Sequence, residues 1–159
     1  MAGIRQRYLF SMGDWMHVKD GNPVAYAMHT RHYSHRGYSD GRRDDESNSA
    51  RRLIVGPGEK MVLLTPDEDA LFAWRRCSFR NDRQDGVECT VFRNEGKRRS
   101  SELILSAEKE AFRRWPGERM FTYVDSRRVR STNPGCCFKA VGWRRCGESQ
   151  KGLLILEKT

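Results

Sequence analysis

His29, His32 and His35 stand three residues apart, with Tyr33 and Ser34 between the last two. On a helix the first two would share a face and the third would turn away. Imidazole together with a carboxylate suits iron or zinc, so a mononuclear site pairing His32 with the distant Asp125 is one reading of this group. Solvated or nucleic-acid-facing histidines are the other. Tyr33 has the chemistry to donate a proton to a reacting group, to stack on a base, or to anchor its own segment. Asp125 closes an apolar stretch, where it could accept a proton, orient His32, or cap the following turn.

Arginines surround these groups. Arg31, Arg36, Arg42, Arg43, Arg51 and Arg52 fall in or beside the polar stretch 34–52, interspersed with Asp40, Asp44, Asp45 and Glu46. The runs Lys97-Arg98-Arg99, Arg127-Arg128 and Arg144-Arg145 are less diluted by acid. Such groups neutralise phosphates and fix register without reading bases. The whole chain carries 30 Lys and Arg against 21 Asp and Glu, a formal charge of +9 that favours polyanionic partners. Arginine dominates, and its planar fork suits phosphate better than a lysine does.

Other classes fit poorly. At 159 residues the chain is expected to form one domain, 1–159, with 34–52 as a long polar loop. No stretch approaches the roughly 18 apolar residues of a membrane span, and the N-terminus lacks the apolar centre of a signal peptide. A soluble, cytoplasmic protein is expected, in the host cytoplasm if phage-encoded. The five cysteines form no C-x-x-C pair, so they read as reduced thiols rather than a zinc knuckle.

The elements that must position these groups follow from period and punctuation. Tyr8-Leu9-Phe10 reads as a first strand. Asn22-Pro23 opens a helix that carries His29 and reaches His32. RLIV, KMVLL, ALFAW and VECTVF, separated by turn residues, read as successive strands of an antiparallel meander. SSELILSAEKEAFRRW then predicts an amphipathic helix with Leu103, Ala107 and Phe112 on one face, stopped by Pro116-Gly117. A strand RMFTYVD, a helix CCFKAVGW, a short basic strand and GLLILEK follow. The plan is α+β around one mostly antiparallel sheet flanked by helices.

Two motifs in this order resemble the GNAT acyltransferases over about residues 50–159. Between the strand VECTVF and the next helix stands 93-RNEGKR-98, similar to that family's R/Q-x-x-G-x-G/A. Arg93 and Gly96 match, and Arg98 stands where a small residue is expected. The resemblance implies that this loop and the helix start behind it hold the pyrophosphate of acetyl-coenzyme A or a related acyl donor, through Arg93, Gly96, Lys97, Arg98, Ser100 and Ser101. The second motif, 133-NPGCCFKAVGWRRCG-147, keeps Asn133, Gly142 and Trp143. Phe138 takes the place of the family's proton-donating tyrosine, with Cys137 beside it.

His32-Tyr33-Ser34 ahead of such a core, with a strand-end Asp125, resembles the Mom DNA-modification proteins of bacteriophages. That resemblance implies transfer of a carbamoylmethyl-type group to the exocyclic amine of adenine in double-stranded DNA, protecting it from restriction. His32, Tyr33, Ser34 and Asp125 would carry the chemistry, iron would be the metal if His32 ligates one, and Arg31, Arg36, Arg42, Arg43, Arg127 and Arg128 would contact the duplex. A homodimer is compatible with it. The other readings are a GNAT N-acetyltransferase acting on a protein or small amine, and an inactive GNAT-like fold that binds nucleic acid.

Overall fold

The computed structural model describes residues 14–32, 53–78, 80–129 and 133–159. Among these, seven strands form one sheet in the order β1-β2-β3-β4-β5-β7-β6. They are β1 (Met16–Val18), β2 (Glu59–Leu64), β3 (Ala70–Arg76), β4 (Val87–Asn94), β5 (Met120–Val124), β6 (Arg144–Glu148) and β7 (Leu154–Lys158). Three helices accompany them: α1 (Pro23–Thr30), α2 (Ser100–Arg114) and α3 (Cys136–Lys139). The architecture is α+β, with a mixed and mostly antiparallel sheet. Among the described residues no helix is long and apolar enough to cross a membrane.

Both faces of the first half of the sheet are covered, which is why β2 and β3 read as near-continuous apolar runs. On one face α1 lays Ala25 and Met28 over Val62, Leu64, Leu71, Ala73 and Val91. Asn22 starts that helix by accepting from the amides of Val24 and Ala25, with Pro23 at the first helical position. On the other face α2 buries Leu103, Ile104, Ala107 and Ala111 against Trp15, Phe72 and Trp74. The indoles of Trp15 and Trp74 donate to the carbonyls of Leu103 and Ala107, at 3.1 and 3.0 Å, so their polar edges are satisfied inside the core.

Four expectations are corrected. The helix expected to reach His32 ends at Thr30, with Arg31 as its C-cap. Phe112 lies outside the buried stripe of α2, at 63 % exposure, because nine residues beyond Leu103 is half a turn out of phase; Ala111 takes the inward place. RLIV forms no strand. Asp20 instead accepts the amides of Ile54 and Val55, at 2.8 and 3.1 Å, which consumes donors that a ladder would need. The helix predicted over CCFKAVGW is only Cys136–Lys139, since Gly142 at φ +95° and the Trp143 amide returning to the Phe138 carbonyl turn the chain into β6. The strand expected at Tyr8–Phe10 and the loop 34–52 lie outside the described residues.

One junction positions everything functional. β4 and β5 are the parallel pair, joined through α2, and they pair only from Val87↔Met120 to Cys89↔Thr122. At the next residue the β3–β4 register slips, with Ala73 opposite Val91 and Trp74 opposite Cys89, leaving Thr90 as an extra residue. Such a bulge bends and over-twists its strand. β4 therefore leaves β5 just where the parallel ladder stops, and the sheet opens into a wedge.

Candidate active-site cleft

The wedge is a cleft of about 370 Å³. Its walls are the diverging ends of β4 and β5, its rim the start of α2, α3 and the turn after β5. Ligands of open sheets containing parallel strands commonly lie at the carboxyl ends of those strands, and this cleft has that position.

Four of the sequence-predicted residues meet there. His32, Ser100, Asp125 and Arg128 line the cleft although they come from three separate segments, the last two sharing the turn after β5. His32 is carried to the wall by the end of α1, where its amide donates to the His29 carbonyl at 2.9 Å. A clasp fixes that end. Arg31 grips Glu95 with two hydrogen bonds, at 2.7 and 2.8 Å, while Arg93 donates to the same carboxylate and to the Arg31 carbonyl, at 2.5 and 2.8 Å. The hydrogen bonds from Arg31 and Arg93 hold the Glu95 carboxyl down at about 2, so the clasp is charged at any physiological pH. Burial, with the charges of His29 and Arg93 nearby, pushes the His32 imidazole down to about 4. The ring in the cleft is thus neutral and able to accept a proton.

The loop 95–99 joins β4 to α2, and its two flanking residues, Asn94 and Ser100, line the cleft. Asn94 shapes the loop, accepting the Gly96 amide at 3.0 Å while its Nδ2 donates to the Arg98 carbonyl and the Ser100 Oγ. Gly96 is required by close approach, since a Cβ there would sit 2.1 Å from the Asp69 carboxylate. Behind the loop α2 begins without a side-chain cap at Arg99, leaving its first-turn amides pointing out beside Lys97 and Arg99. The corner is mixed in charge, with Glu102 in the same first turn and the Asp69 carboxylate against Gly96. Arg98 does not obstruct it: its guanidinium turns away to Asp14 and Glu102. Arg93 likewise serves the clasp rather than the cleft wall. Ser101 lies one residue into the helix, half-buried and outside the cleft.

Asp125 both lines the cleft and caps the turn beyond β5. Its carboxylate accepts the Arg127 amide and Nε at 3.1 and 3.2 Å, with Arg128 at 3.9 Å. Desolvation works against its charged form, but the Arg127 hydrogen bonds and the two arginine charges outweigh it and hold the carboxyl below its usual value. Among the described residues no three His, Cys, Asp or Glu side chains gather as metal ligands. Tyr33, Ser34, His35, Arg36, Arg42 and Arg43 lie outside the described residues.

Several cleft groups escaped the sequence reading. Glu88 is buried at the narrow end and held by Arg75 and Arg80, each at 3.1 Å. Arg80 also grips Asp82, which accepts the Tyr123 hydroxyl at 2.6 Å. The charge inside the apolar run VECTVF was a visible signal for Glu88; nothing local marked Tyr123. Cys89 and Cys137 also face the cleft, and burial pushes both thiols up, so they stay protonated. Phe138 turns into the core against Phe92 and Trp143, at ring-centroid distances of 6.0 and 4.9 Å.

Compared with known proteins, the chain matches no family model, no curated protein and no solved structure.

Proposed function

We propose that this chain is a GNAT-like transferase of the Mom-like kind, which moves a small acyl or carbamoylmethyl-type group onto the exocyclic amine of adenine in DNA. The observation that carries the reading is the wedge between β4 and β5, with an uncapped helix start at one rim and the neutral His32 on its wall. The anionic part of an acyl donor such as acetyl-coenzyme A would rest on the first-turn amides of α2 and on Lys97 and Arg99. When bound, the donor would supply the activated carbon, whose bond to the donor's sulfur breaks as the amine attacks, the coenzyme leaving as its thiolate.

The chain's own residues do the rest. β4 beyond Cys89 has no strand partner on its β5 side, so its backbone can hold an extended amide-bearing arm. The His32 ring accepts the proton that the acceptor amine sheds as it attacks. Glu88, at the narrow end, accepts a hydrogen bond from an amine N–H, and Tyr123 offers an aromatic edge beside it. The base must leave the duplex stack to reach this depth, at a cost of a few kcal/mol.

Mass spectrometry of nucleosides from plasmid co-expressed with the protein tests this. A new adenine adduct, lost in His32→Ala, is the expected result; unmodified DNA overturns the proposal. An N-acetyltransferase acting on a protein or small amine is favoured by one observation. The pairing of Arg98 with Asp14 leaves the donor loop open to an ordinary acyl-coenzyme A. Acetyl transfer to an amine with no DNA change would select it.

A further inference from the structure

The end of the sheet at which the cleft opens is electrostatically divided. Because β4 and β5 are parallel, their carboxyl ends lie together. Asn94 pairs with Ala70, which puts the β2–β3 turn beside the end of β4; Val124 pairs with Leu154, which puts the β6–β7 turn beside the end of β5. The first turn is acidic, with Asp67 and Glu68 exposed and Asp69 half-buried. Of the bases on that side, Arg31 and Arg93 are held by Glu95 and Arg98 by Asp14, while Lys97 and Arg99 stand at the start of α2, away from the β5–β7 turns.

The β5–β7 side differs. Arg127 is 71 % exposed and Arg128 53 %, and both reach the carboxylate of Asp125. Arg127 also reaches the Lys151 carbonyl at 3.4 Å, tying the two turns together with the exposed Lys151 beside them. Lys139, on α3 just after the cleft-lining Phe138, donates to the neutral Asn133 Oδ1 at 2.9 Å. Glu148, the other acid at this corner, is answered by Arg145.

We infer that Arg127, Arg128, Lys139 and Lys151 form the surface that seats the phosphate backbone of duplex DNA, with the Asp67–Asp69 turn held away from it. The identity of the polyanion rests on the function proposed above; the division of charge does not. Arg128 stands both on this rim and in the cleft wall, so a phosphate bound there places its own nucleotide at the cleft mouth. Arg31, clasped by Glu95, contributes little. The duplex approaches from the β5–β7 side, and the donor corner at the start of α2 stays clear of it.

Fluorescence anisotropy with a labelled double-stranded oligonucleotide decides the matter. Wild type should bind with a steep salt dependence. R127E/K151E should weaken binding about tenfold or more near 0.1 M salt and flatten the log–log salt slope by about two. The neutral pair R127Q/R128Q should move in the same direction by less, and D67K/E68K should leave binding unchanged or tighten it. Thermal melts confirm that each variant is folded. Absence of salt-dependent DNA binding in wild type, or equal weakening by D67K/E68K, would overturn the inference, as would poly-glutamate binding through the same arginines without DNA binding. DNA binding with the expected variant pattern but no nucleoside adduct would leave this surface standing and sink only the transferase reading.

Discussion

The two halves of the sheet are built by different means. β2, β3 and the first part of β4 are buried on both faces between α1 and α2, and Phe72 there packs against Trp15, Trp74 and Phe92 at centroid distances of 6.0, 4.7 and 5.3 Å. β6, by contrast, is an edge strand with Arg144, Arg145, Cys146 and Glu148 all exposed. Its arginines pair with Glu157 and Glu148 at 3.5 Å, and charges on an edge also deter pairing with another chain. Only three residue pairs of parallel ladder join the halves. The difference teaches where a cleft can form. The cleft forms at the seam, where the short parallel ladder stops and a bulge turns β4 away from β5.

That contrast can be broken at its strongest point first. Phe72→Ala should cost about 4 kcal/mol, because it empties a wholly buried aromatic site that cannot collapse between two helices. Chemical denaturation measures this; a loss under 1 kcal/mol would mean the first half is not the rigid one. A smaller effect lies at the seam. His32 has a folded pKa near 4, below its ordinary value, so the unfolded chain takes up a proton first as pH falls. Its contribution is complete above about pH 6.5 and is lost as pH falls toward 4. Between pH 7 and 4.5 wild type should lose about 2 kcal/mol more unfolding free energy than His32→Gln, somewhat less than the full shift because the ring keeps some solvent contact. Parallel pH profiles for the two proteins would show that His32 is not buried in the wall. The smallest effect belongs to the second half. Arg144→Gln should change stability by less than about 0.5 kcal/mol, since a highly exposed guanidinium facing a carboxylate at 3.5 Å adds little. A loss comparable to that of Phe72→Ala would abolish the distinction between the halves.

The legible part of the fold was the part governed by local period. α2 and the strands KMVLL, ALFAW and VECTVF stand close to where alternation, apolar runs and Pro116-Gly117 put them. Phe112 went wrong because a helical stripe was judged by residue type rather than by phase. RLIV went wrong because Asp20, more than thirty residues away, takes the amides that a strand would have used. In the site, Asp125 was visible from its place at a strand end and Ser100 through the family resemblance, while Glu88 went unread although its charge in an apolar run was a signal. Arg93 carried a motif and yet serves a clasp, which depends on Glu95 and on a carbonyl of the distant Arg31.

The sequence by itself determined the basic charge and the α+β plan, since each is set by composition or by neighbours a few residues apart. Only the tertiary structure decided that β4 would part from β5 at Thr90, and that His32 and Asp125 would share one cleft. It also separated the acidic rim from the basic one. Those outcomes turn on register and on long-range pairing, and a one-residue slip between strands leaves no mark in a local pattern.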